Sequence, residues 1–178
     1  MIAFQLVIEM HIFTNIQQIA VAVALVSLQS QGQTRTPSTP EERAKAVRIA
    51  RALESAPLSK EAKEQRNWIV HWLIDVPDIS VKVCANLLGP VLESKKNYAP
   101  EIFTQLAPSA AAFVVENPDK AKDDEAVYTA ALNGALRTYE AILKEKPKAI
   151  WPFLDDLIDK RNKGELSEFV RRTSVHCK

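Results

Sequence analysis

The chain has 178 residues, of which 47% are hydrophobic and 25% charged, and its net charge is +1. That balance excludes a disordered chain and a low-complexity or collagen-like fibre. With 23 basic residues facing 22 acidic ones, it also disfavours a polyanion-binding protein. The length fits one domain with enough chain to bury a core.

Residues 1–32 contain no Lys or Arg and a single acid, Glu9. The uncharged run from Ile19 to Leu28 is too short to span a bilayer, which takes about 20 apolar residues. Its length matches the apolar region of a signal peptide. Ser30-Gln31-Gly32 supplies small residues two apart, so cleavage is expected before Gln33. Residues 1–32 are therefore predicted to be a signal peptide. A translation start at Met10 would bring it to about 23 residues, inside the usual range. The address this implies is export, to the periplasm or the extracellular space. The absence of Lys and Arg at the amino end leaves an uncleaved, membrane-anchored N-terminus as the alternative. Residues 33–40 read as a flexible linker, and 41–178 as a single all-helical domain.

Thr39-Pro40-Glu41-Glu42 predicts a helix start: a capping hydroxyl, proline in the first turn, then acids near the positive end of the helix dipole. Ala46, Val47, Ile49, Ala50 and Leu53 then fall on one face. A second helix is expected from Ser59 to about Asp75. Its half around Trp68, Ile69, Val70, His71, Trp72, Leu73 and Ile74 is apolar nearly all round, which predicts a central position. Asp78 would cap a third helix through Leu88, broken at Gly89-Pro90. A fourth is expected over 100–116, interrupted at Pro108. The clearest follows Asp123: Tyr128, Ala131, Leu132, Ala135, Leu136, Tyr139, Ile142 and Leu143 keep helical spacing until Pro147. Helices over 149–163, ended by Gly164, and 165–174 complete the chain. The fold class is all-α: about six to seven helices with no sheet, as a compact bundle or as stacked helical hairpins.

Cys84 and Cys177 are the only cysteines. In an exported chain an even count predicts a disulfide, here closing a loop of about 94 residues for at most ~4–5 kcal/mol on the chain-entropy model. Two separate thiols are the alternative. His71 and Asp75, four apart on a helix, could orient one another as part of a catalytic triad. No Gly-x-Ser-x-Gly elbow accompanies them. Trp68 and Trp72 flank His71, so these four residues mark either a pocket or a piece of core. Gly134 interrupts the best helix at a cost of about 1 kcal/mol against alanine, which predicts a close helix crossing or a groove floor. Lys45, Arg48 and Arg51 form a basic ridge. Asp155, Asp156, Asp159, Glu165 and Glu168 form an acidic face laced with i, i+4 partners. No spacing calls for a metal or a cofactor, and no aromatic interleaving supports nucleic-acid stacking.

These readings point to a non-catalytic, exported helical domain that binds another protein or serves as a structural or accessory part of an envelope assembly. Two alternatives stand beside it. One is a hydrolase built on His71 and Asp75. The other is a stress chaperone that opens at low pH. In architecture, with a signal peptide, a helical body and two cysteines, the chain resembles the small acid-stress chaperones of the bacterial periplasm. That resemblance implies a Cys84–Cys177 bridge and acid-driven opening. With few histidines, the opening would depend on carboxylates such as Asp155, Asp156 and Asp159.

Overall fold

The computed structural model describes residues 35–177. The predicted signal peptide, the Met10 start and the beginning of the linker lie outside the described residues. Among the described residues, seven α-helices follow one another: α1 (Pro40–Ser55), α2 (Ala62–Asp75), α3 (Ala99–Thr104), α4 (Leu106–Glu116), α5 (Asp124–Glu145), α6 (Pro152–Asn162) and α7 (Leu166–Thr173). Shorter 3-10 segments occupy Ala85–Val91, Pro118–Lys120 and Ser174–His176. No strand occurs among the described residues.

α1 begins as its sequence dictates. Thr39 Oγ1 accepts from the Glu42 amide at 3.2 Å, and Glu42 Oε2 accepts from the Thr39 amide at 2.8 Å. The end of the predicted linker belongs to the fold. Ser38 is buried, and its amide and hydroxyl both donate to the Asp78 carboxylate, at 2.7 and 2.8 Å.

The centre is a three-helix group, α1, α4 and α5, in which each member packs on the other two. That arrangement is a bundle core rather than a stack of separate hairpins. Small residues make it tight: Ala110, Ala111 and Ala112 of α4 and Ala131 and Ala135 of α5 are buried beside Leu53, Leu132 and Leu136. α5 carries the predicted face almost intact, capped by Asp123 Oδ1 on the Ala126 amide at 3.0 Å. Gly164 ends the stretch after α6 with φ +77°, a conformation glycine adopts without penalty.

Four expectations are corrected. The third helix over 78–88 does not form. Residues 77–78 form a bend, 79–84 are non-helical and end in the extended backbone of Cys84, and a 3-10 turn begins only at Ala85. Asp78 does not cap: its carboxylate holds Ser38 and Arg43 instead. Ile79, Val81 and Val83 are β-branched and alternate with Ser80 and Lys82, a pattern that favours extended backbone. α2 starts at Ala62 rather than Ser59 and has no side-chain cap. It is also peripheral rather than central: Ile69 and Trp72 are buried, whereas Val70 and Ile74 face outward. The break expected at Pro108 falls at Gln105. Pro108 sits in the first turn of α4, where its missing N–H costs nothing.

Candidate functional site

The structure places the residues singled out from sequence in three different settings. His71 and Asp75 are both exposed and do not bond to each other; His71 Nδ1 lies 2.7 Å from the Asn67 carbonyl one turn earlier. Trp68 and Trp72 stack with centroids 5.9 Å apart and planes inclined by 12°. Lys45 Nζ stands 4.0 Å from the Trp68 ring centroid, a cation–π contact that joins α1 to α2. The four residues are thus a packing seam with an exposed edge.

Cys84 and Cys177 form a disulfide, with Cα atoms 5.4 Å apart. It ties the end of the non-helical segment to the C-terminal 3-10 turn. The same segment is fixed at its start by Asp78, whose Oδ2 receives Arg43 Nη2 at 2.6 Å. Hydrogen bonds from Ser38 hold the Asp78 carboxyl well below its ordinary value, at about 2.

Gly134 marks a close crossing. A Cβ there would stand 2.7 Å from Glu54 Oε1 and closer still to the Ser109 side chain. The space it leaves is filled by a polar cluster that sequence reasoning missed. Glu54 is only 4% exposed. Its Oε1 accepts from Ser109 Oγ at 2.8 Å and Arg51 Nη1 at 2.9 Å, and its Oε2 accepts from Arg137 Nε at 2.8 Å. Gln105 Nε2 donates to Ser109 Oγ and to the Ala50 carbonyl. Two guanidiniums therefore neutralise one buried carboxylate where α1, α4 and α5 meet. Arg51 also reaches Glu116 at 2.6 Å, so the predicted basic ridge is largely spent: Lys45 on Trp68, Arg51 on two acids.

Three of the five acids of the predicted acidic face are likewise engaged. Asp155 accepts from the Tyr139 hydroxyl at 2.8 Å, Asp156 pairs with Lys160, and Glu168 pairs with Arg171 and Arg172. Among the described residues, no three His, Cys, Asp or Glu side chains gather as a metal site requires. No helix among them is long and apolar enough to cross a membrane.

What remains open is a groove of about 460 Å³ between the outer face of α2 and the non-helical segment. Its walls are Val70, Leu73 and Ile74 from the helix and Ile79, Val81 and Val83 from the segment, with Arg35 among its lining residues. Val70, Ile74 and Val83 are 40%, 57% and 39% exposed. The non-helical backbone between Pro77 and Val83 makes no backbone–backbone hydrogen bond among the described residues. An apolar floor beside unpaired non-helical backbone can take up another chain's apolar side chains and offer peptide groups for pairing. The signal for it was legible in two places: the all-round apolar run of α2 and the period-two valines of 79–83. Searches against family models, curated proteins and solved structures found no match to this chain.

Proposed function

We propose that this protein is an exported, non-catalytic protein-binding domain, and that its docking surface is the apolar groove between α2 and residues 77–83. The observation that carries this reading is the exposure of Val70, Ile74 and Val83 together on one groove. Singly exposed apolar residues are ordinary; a shared patch beside unpaired backbone supports a partner. Export is supported by the Cys84–Cys177 bridge, since disulfides persist in oxidising compartments. It is also supported by the signal-like first 32 residues.

The rigidity of both groove walls fits this use. The disulfide and the Asp78 anchor hold the non-helical segment at its two ends, so little ordering cost falls on association. The test is a V70E/I74E chain expressed in the native host. Both side chains are exposed, so the fold should survive with an unchanged circular dichroism spectrum. The proposal requires that partners recovered with the wild-type chain are lost from the variant. Recovery of the same partners by both chains would remove the groove from the account.

A further inference from the structure

A second cleft, of about 660 Å³, runs along α5 and shares no lining residue with the apolar groove. Asp123 and Glu125 lie at the amino end of α5, and Arg137 at the far end of the cleft beside Arg51, which is already held by Glu54 and Glu116. From Glu125 to Arg137 the helix rises by about 18 Å. Lys120, three residues before Asp123, also lines it. Phe113, Ala126 and Ala130 supply apolar wall between the two ends.

Three further observations define what would fit. Arg137 spends Nε on Glu54, and its two terminal amines make no hydrogen bond among the described residues. They offer a fork suited to a carboxylate. Thr129 Oγ1 and Asn133 Oδ1 are shielded from solvent and have no hydrogen-bond partner among the described residues. They are one helical turn apart, a rise of about 6 Å, close to the ~6.6 Å at which an extended chain repeats its same-side amides. A span of about 18 Å between charges of opposite sign corresponds to five or six extended residues.

We infer that this cleft binds a short extended peptide, with the free terminal carboxylate on Arg137 and the amino end toward Asp123 and Glu125. Thr129 and Asn133 turn to meet the peptide's backbone amides between the two ends. Charge complementarity sets the direction: a reversed peptide would bring its carboxylate toward two acids offset by the single cation Lys120, and its ammonium onto the Arg137 guanidinium. The inference goes beyond the apolar-groove reading and does not depend on it, so the I74E chain keeps this activity.

The experiment is affinity selection on the immobilised full chain with randomised pentapeptide and hexapeptide mixtures, read by mass spectrometry. Each mixture is prepared with free termini, as the carboxy-terminal amide and as the amino-acetylated form. Free-terminus peptides should be retained at least tenfold over the amides. R137K keeps a cation beside Glu54 but loses the fork, and should abolish that preference. E125K, a change at a half-buried position, should abolish the preference for free over acetylated amino ends. Equal retention of acid and amide, retention unchanged in R137K, or no retention above bare resin would each overturn the inference.

Discussion

Arg137 and Glu54 stand 83 positions apart and meet through one bond, Nε to Oε2 at 2.8 Å. Glu54 is nearly enclosed, whereas about 40% of each arginine side chain that meets it is exposed. Loss of the carboxylate leaves the Ser109 hydroxyl without its acceptor, while Gln105 keeps its bonds to Ser109 and the Ala50 carbonyl and both guanidiniums can rehydrate. E54A should therefore cost about 2 kcal/mol, less than a fully buried pair would. The E54A and R137M costs should fall short of additivity by about 1 kcal/mol in a double-mutant cycle followed by urea denaturation. Strict additivity would show that the bond does not couple α1 to α5.

Gly134 supplies a prediction whose sign is decisive. Helix propensity alone says that G134A stabilises by about 1 kcal/mol. The crossing says the opposite, because the new Cβ would meet Ser109 and Glu54 Oε1. Overpacking should win and cost about 1–3 kcal/mol. S109G in the same chain should recover part of it, because it removes the side chain nearest the new methyl. A higher Tm for G134A would mean that the helices are not this close.

Stability should fall in acid along a defined path. Asp78 titrates near 2 in the fold against an ordinary 3.8, chiefly because the Ser38 amide donates to it. A depressed carboxyl contributes stability that is full above its unfolded pKa and lost as pH drops through the folded one. The loss should thus develop between about pH 4 and pH 2. Glu140, lowered by its hydrogen bond with Arg161, adds in the same direction. D78N should flatten the acid limb of the denaturation curve; an unchanged limb would contradict the anchor.

At the alkaline end, Tyr139 is pushed up to about 12, first by burial and then by its bond to Asp155. Its raised value means that stability is intact below the ordinary value of 10 and declines as pH rises toward 12. Absorbance titration should show a tyrosine that ionises only as pH approaches 12. Y139F should remove that late step and leave the Trp151 amide without its acceptor. The absence of any such late step would contradict the buried site.

Reducing the disulfide should loosen one wall of the apolar groove. The C84S/C177S chain loses up to ~4–5 kcal/mol on the chain-entropy model. Hydrogen exchange should rise first at residues 79–84 and 174–177, before α4 and α5. Uniform acceleration across the fold would show that the bridge does not act locally.

Local chemistry made much of the fold legible. The Thr39–Glu42 capping box, the Asp123 cap, the apolar face of α5 and the Gly164 stop are all decided within a few residues. Long-range chemistry hid the rest. Asp78 looked like a cap because its partners, Ser38 and Arg43, lie 40 and 35 positions away. Glu54 gave no local sign of its role because Arg137 and Ser109 arrive from α5 and α4. The apolar run of α2 was visible, but whether its outer face met core or solvent depended on a segment that is non-helical where a helix was expected.

The most direct test of the proposed docking surface is a photo-crosslinking amino acid placed at Ile74 in the full chain, expressed in its native host and irradiated in intact cells. A matched chain carries the same group at Lys122, which is exposed and lines neither cleft. The account predicts a discrete protein adduct from position 74 that is absent from position 122 and lost when Val70 is replaced by glutamate. No adduct from position 74, or the same adducts from both positions, would contradict it.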